Sequence, residues 1–288
     1  MDADRPRRTM LYLPAANARA IDKARTLAAD MLLLDLEDSV APAAKEGARA
    51  AAVAAVAAGF GDREAGIRVN GFGTAWAAAD FQAVAASAAD FLVVPKVESV
   101  DDARRAVALS GGKPVLAMIE TPKAVLRAGD IAEVPGIRGF IAGFNDLAKD
   151  LRARVDAGRL ALLYSASAIV LAARAAGILA FDGVFTAIAD LEGLEAEAAE
   201  GLALGFDGKT CIHPGQLAVV NRLFTPSAAE LADARGVVAA HAEALAAGRG
   251  VATWKGRLVE ELHVREAERL LRLAARIAAL EGAEPPRT

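Results

Sequence analysis

Short apolar runs alternate with longer, alanine-rich stretches flanked by charge along most of the chain. The apolar runs fall at 10–14, 31–36, 66–69, 91–95, 114–119, 139–143, 181–185 and 206–212. They are near-continuous rather than strictly alternating, the pattern of strands buried on both faces. The stretches between them, for example 18–27, 43–58, 75–88 and 100–109, have the length and composition of helices. Strand then helix, eight times over, predicts an α/β fold in which a parallel sheet closes into a (β/α)8 TIM barrel. An open doubly wound sheet is the alternative. It usually carries a Gly-rich first turn, and the first turn here is L-P-A-A-N, with no G-x-G-x-x-G.

The rhythm changes after Phe224-Thr225-Pro226-Ser227. Ser227, with Glu230 three residues on, has the form of a capping box opening a helix to about residue 247. Gly248 and Gly250 end it. An extended stretch, 251–259, precedes a last amphipathic helix over about 264–280, with Leu270, Leu271, Ala274, Ile277 and Leu280 on one face. The expected organisation is a barrel catalytic domain over 1–225 and a C-terminal helical extension, or lid, over 226–288.

Hydrophobic residues make up 55% of the 288, enough for a large core and far from a disordered composition. The net charge of −4 speaks against a nucleic-acid platform. Cys211 is the single cysteine, so neither an internal disulfide nor a cysteine-based zinc site can form. The opening residues carry no apolar signal core, and no uncharged stretch reaches the ~20 residues of a membrane span. The expectation is a soluble cytoplasmic protein that binds neither membrane nor nucleic acid.

Barrel chemistry gathers where strands end. Arg68 in I-R-V-N, Glu120 in A-M-I-E-T and Asp146 in G-F-N-D-L all stand at or just past such ends. Two carboxylates with a guanidinium nearby suit a divalent cation and an anionic substrate, and Mg2+ binds through one or two carboxylates with the rest of its octahedron left to water and substrate. Asp146 has a second reading as a helix N-cap. In L-L-L-D-L-E-D-S-V, Asp35 and Glu37 share a face, as do Arg68 and Asn70. Asp35 or Glu37 paired with Arg68 could equally be a buried ion pair that only closes the barrel. Lys96 sits where a Schiff-base lysine could, though an ion pair or anion contact fits its acidic surroundings better. His213 reads as a hydrogen-bonded structural histidine, His241 and His263 as surface residues, and Cys211 as inert core.

Seven motifs in order, R-R-T-M-L-Y-L-P-A-A-N, L-L-L-D-L-E-D-S-V-A-P-A-A-K, I-R-V-N, V-V-P-K-V-E, A-M-I-E-T, G-F-N-D-L and G-F-D-G-K-T-C-I-H-P-G-Q, resemble the HpcH/HpaI aldolase–citrate lyase β-subunit family, most of all its CitE-like CoA-ester lyases. The resemblance runs from about Arg7 to the last helix. It implies a (β/α)8 barrel with a helical extension, a homo-oligomer that is commonly a trimer, and Mg2+ held by Glu120 and Asp146. It also implies that Arg68 holds the acyl carbonyl or oxo acid, and that Asn17, Lys23 and the Arg8 segment lie near CoA. In lyase members an aspartate of the extension, often from a neighbouring subunit, serves as acid/base. Here G-R-L-V-E-E-L-H places Glu260 at that position, one methylene longer. The implied reaction is Claisen cleavage or condensation of a 3-hydroxyacyl-CoA such as a malyl, citramalyl or citryl thioester, with Glu37 or Glu260 moving the proton. Two alternatives are a metal-dependent aldolase on free pyruvate-type oxo acids and a non-catalytic subunit that holds an acyl carrier.

Overall fold

Eight parallel strands close on themselves in chain order in the computed structural model, which describes residues 5–155 and 158–281. They are β1 (Thr9–Pro14), β2 (Met31–Asp35), β3 (Glu64–Arg68), β4 (Phe91–Val94), β5 (Val115–Ile119), β6 (Ile137–Ala142), β7 (Leu179–Asp182) and β8 (Gly208–Cys211). β1 pairs with β8 through Thr9–Lys209, Met10–Thr210 and Leu11–Cys211, so the barrel itself has no open edge. The expected strands are all present, with ends displaced by a few residues.

Period-two geometry explains what fills the barrel. Met10, Met31, Leu33, Phe91, Val93, Leu116, Met118, Ile141 and Phe181 form one buried cluster, with Tyr12 and Leu179 packed against it. Gly66 belongs to the same inward face; a side chain there would overlap the Phe91 ring. The same parity carried to the strand ends aims Asp35, Arg68 and Glu120 inward. The intervening residues lie on the helix side, and two buried ones carry charge. Asp182 of β7 and Lys209 of β8 are both fully buried and pair at 2.8 Å. Lys209 also meets Glu197 of the Leu191–Leu204 helix at 2.7 Å, and Arg159 reaches Asp182 at 2.8 Å.

Two compact units are resolved, Arg7–Leu223 and a second containing residues 224–281 with Arg5 and Pro6. In the second, the Ala228–Ala246 helix opens with the expected capping box, Ser227 and Glu230 each bonding the other's backbone. Residues 251–259 form a hairpin, β9 (Ala252–Trp254) with β10 (Arg257–Val259). Trp254 lies on the helix where Gly236 leaves room for its ring, and its Nε1 donates to Asp233 at 2.8 Å. The last helix, Glu261–Glu281, buries Val264, Ala267, Ala274, Ile277 and Ala278. Leu280, expected on the buried face, is exposed, and His241, expected at the surface, is buried. Both depend on what packs against a helix, which its own periodicity does not specify. Among the described residues no helix is long and apolar enough to cross a membrane.

Candidate active site

The C-terminal ends of the strands surround a cavity of about 380 Å³, and Tyr12, Arg68, Met118, Glu120 and Asp146 are on its wall. Arg68 is its best-anchored cation. Asp35 and Arg68 are direct neighbours in the β2–β3 register, which brings their side chains together. Nε donates to Asp35 Oδ1 at 2.6 Å and NH2 to Oδ2 at 2.8 Å, a two-pronged fork. NH1 lies outside that fork. It is 2.7 Å from Glu37 Oε2 and 3.5 Å from Asp38 Oδ2. The guanidinium carbon stands 5.0 Å from the centre of the Tyr12 ring.

These contacts set the charges. Burial opposes ionisation of Asp35, but hydrogen bonds from Arg68 and its positive charge hold the carboxyl below its ordinary range. Burial pushes Glu37 the other way, up to about 7, against the pull of Arg68 and with the help of Asp38, Glu120 and Asp35. Glu37 Oε2 approaches NH1 off the N–H direction, and among the described residues it is the buried side-chain oxygen left without a hydrogen bond.

Glu120 follows β5 directly and is buried. Its Oε1 accepts a 2.7 Å bond from the Lys96 backbone N–H, a residue held at φ 52°. Its Oε2 lies against Gly143, where a Cβ would be 2.6 Å from that oxygen and would overlap the Glu120 Cβ. Glycine at 143 is therefore a space requirement of Glu120. Burial lifts the Glu120 carboxyl to about 7, only partly offset by the Lys96 N–H and the Arg68 charge. Asp146 sits in the first turn of the Phe144–Leu151 helix without capping it, and Lys96 Nζ is 3.8 Å from its Oδ2. Glu120 and Asp146 open on one cavity, and among the described residues the buried Glu120 carboxyl makes no direct ion pair, with Arg68 and Lys96 the nearby positive charges. The pair fits a hard cation with oxygen ligands. Among the described residues there is no group of three or more His, Cys, Asp or Glu arranged to hold a metal, which leaves such a cation dependent on water and substrate for the rest of its shell.

A larger concavity, about 620 Å³, lies in the second unit between the Ala228–Ala246 helix, the hairpin and the last helix. Its acids are already paired, Glu230 with Ser227, Asp233 with Trp254 and Arg257, and Glu266 with Arg269. The convergent chemistry is in the smaller cavity.

The family model for HpcH/HpaI aldolase/citrate lyase matches residues 8–214. The chain belongs to that family. A model for C–C bond lyases of the TIM-barrel fold also matches, over 159–277. Among HpcH/HpaI relatives, a (3S)-malyl-CoA thioesterase of Cereibacter sphaeroides is 43% identical over 278 residues, 96% of this chain and 98% of that protein. The citrate lyase subunit beta of Escherichia coli is 35% identical, over 89% of each chain. The solved structure of CitE from Mycobacterium tuberculosis in complex with magnesium, acetoacetate and coenzyme A has a TM-score of 0.79 at 34% identity, over 94% of this chain and 99% of that one. The chain is thus an enzyme of a carbon–carbon lyase family that includes CoA-ester lyases.

The HpcH/HpaI residues expected from sequence do not all meet. Arg68, Glu120 and Asp146 share the cavity. Glu37 touches Arg68 but is not on the cavity wall, so it reaches the site through the guanidinium. Asn17 is exposed in the turn after β1 and caps the Ala18–Ala24 helix through Ala20 N. Lys23 is exposed in the last turn of that helix, about 9 Å of helical rise further on. Arg8 precedes β1, at the opposite end of the barrel from Arg68. It is buried there and donates twice to Asp30 at 2.9 Å, so its guanidinium closes the strand starts and is not brought to the cavity. Glu260 belongs to the second unit, exposed, with its backbone N–H donating to His263 Nδ1. Asn70 leaves the inward face because β3 ends at Arg68; it bonds Lys45 and Asp80 instead. Lys96 pairs with Asp146 rather than Glu98, which meets Lys123. His213 caps the short turn after β8, and burial raises the Cys211 thiol to about 12, leaving it inert.

Sequence reasoning missed Lys45 and Tyr12. Buried Lys45 donates to the Leu36 and Glu37 carbonyls and to Asn70, all at 2.7 Å, which fixes the turn that carries Glu37. Its signal was a lysine closing the L-E-D-S-V-A-P-A-A-K motif. Tyr12 was readable only as an inward position on β1.

Proposed function

We propose that the chain is a Mg2+-dependent lyase that cleaves, or in reverse condenses, a 3-hydroxyacyl-CoA of the malyl, citramalyl or citryl type. The observation that carries this reading is the single cavity shared by the Arg68 guanidinium and the Glu120–Asp146 pair. The magnesium and coenzyme A bound by the CitE relative support it. Glu120 and Asp146 would hold the ion, which when bound supplies Lewis-acid polarisation of the substrate's oxygens. Arg68 receives the negative charge that collects on the thioester oxygen as the carbon–carbon bond breaks, because NH1 is the nitrogen Asp35 leaves outside its fork. Glu37 acts as a positioning residue by holding NH1 in place. The proton goes to and from a carboxylate, for which Glu260 is the candidate the family likeness supplies.

A second reading, hydrolysis of the same thioester, is favoured by the 43%-identical relative named as a malyl-CoA thioesterase. Product analysis with malyl-CoA separates the two. Cleavage releases glyoxylate and acetyl-CoA, trapped as a hydrazone, whereas hydrolysis releases malate and free CoA thiol. The expected result is glyoxylate formation that EDTA stops and Mg2+ restores, lost in Glu120→Ala. Thiol release without glyoxylate would replace the lyase reading with hydrolysis, and activity surviving both EDTA and Glu120→Ala would remove the metal.

A further inference from the structure

Two hydrogen-bond donors in the cavity face an acceptor too weak to satisfy them. Arg68 NH1 lies 3.7 Å from the thioether sulfur of Met118, and the Tyr12 hydroxyl lies 4.0 Å from the same atom. A thioether is a weak acceptor, and no stronger one serves the Tyr12 hydroxyl among the described contacts. All three side chains are on the cavity wall with Glu120 and Asp146. Their orientation is over-determined. The Asp35 fork fixes the guanidinium plane. The Tyr12 ring lies 5.0 Å from its carbon, and β1 parity sets Tyr12 on the inward face with Met10. NH1 keeps Glu37 on one side while presenting itself to the sulfur on another. Burial, reinforced by the neighbouring carboxylates and only partly offset by Arg68, holds the phenol far above its ordinary range, so Tyr12 remains a neutral donor.

Donors preorganised toward one point in a low-dielectric wall are what a developing oxyanion requires. Methionine is unbranched and yields its place easily. We propose that the Tyr12 hydroxyl is a catalytic residue, the second donor of an oxyanion hole whose first is Arg68 NH1, with the substrate's thioester oxygen taking the place of the Met118 sulfur. The assignment rests on the lyase reading and adds a residue to it. Tyr12 donates a hydrogen bond and keeps its proton, so no bond to it forms or breaks.

Tyr12→Phe is the test, because it keeps the ring beneath Arg68 and removes one oxygen. The hydroxyl's protein partner is a distant sulfur, so the melting temperature is expected to stay near that of the unaltered protein. With malyl-CoA, kcat is expected to fall about 100-fold with KM little changed. Binding of a carboxylate analogue of the acetyl-CoA enolate is expected to weaken with kcat, while binding of acetyl-CoA is not. A kcat within twofold of the unaltered enzyme, or equal weakening of both ligands, overturns the assignment and leaves the lyase reading intact. An unaltered enzyme that releases no oxo acid from malyl-, citramalyl- or citryl-CoA removes both. A measurement on the unaltered chain guards against a variant that does not fold. The chain has two tyrosines and Tyr164 is exposed, so the enolate analogue is expected to shift a tyrosine absorption band that Tyr164→Phe retains. No shift on saturation overturns the assignment.

Discussion

Glu37 shows how one side chain's surroundings become a property of the protein. Its folded carboxyl titrates at about 7 against an ordinary 4.5, chiefly through burial. Between those values the unfolded chain has released the proton and the folded chain retains it. Stability attributable to Glu37 therefore falls as pH rises through that window and is level above it, by up to about 3 kcal/mol. Asp35 has the opposite sign, since its lowered folded value gives stability present above the ordinary 3.8 and lost as pH falls below it. Glu37→Gln is expected to lose less stability than the parent between pH 4.5 and 7 in urea titrations. A parallel loss in both proteins would show that Glu37 keeps its ordinary titration in the fold. Alternation of side chains already placed Asp35 and Glu37 on one side of the chain. A pairing of Asp35 or Glu37 with Arg68 was legible too, and both contacts form, but the division of the guanidinium between the two acids could not be read, because β2 and β3 find their register only when paired.

The turn from β6 into the Phe144–Leu151 helix joins one carboxylate to the other. Gly143 starts it and touches Glu120, and three residues later the first helical turn presents Asp146. Gly143→Ala is expected to push the Glu120 carboxylate from its seat against the backbone. Apparent Mg2+ affinity should drop at least tenfold in a metal titration of activity, with a smaller change in melting temperature. Unchanged affinity would mean the neighbouring backbone gives way instead. The G-F-N-D-L motif marked this turn as functional, yet a glycine's cause is visible only when the atom occupying its missing Cβ is known. The hairpin over 252–259 was read only as extended, since three-residue strands carry too little periodicity to register.

Barrel closure joins the ends of the chain's first unit and hides an ion network between sheet and helices. Lys209 is fully buried with Asp182 and Glu197 around it, and Arg159 shares both acids. A pair such as this contributes little over apolar packing, but removing one member leaves the other charges buried and uncompensated. Lys209→Met is expected to cost about 3–5 kcal/mol in urea denaturation. A cost below about 1 kcal/mol would show that Arg159 alone neutralises both acids. Arg159 also stands 5.3 Å from the Phe144 ring, so the same network borders the helix that presents Asp146.

Eight apolar runs at strand–helix spacing sufficed for the barrel, because burial on both faces and the period of the backbone are local properties. The strand-end positions of Arg68, Glu120 and Asp146 followed from the same rhythm. Which charges meet is another matter. Arg8 and Arg68 are both arginines beside apolar runs, yet one closes the strand starts with Asp30 and the other opens on the cavity. Lys209, Tyr12 and Gly143 draw their roles from neighbours far along the chain. Such contacts depend on register, handedness and packing across the closed sheet, and those exist only once the chain has folded.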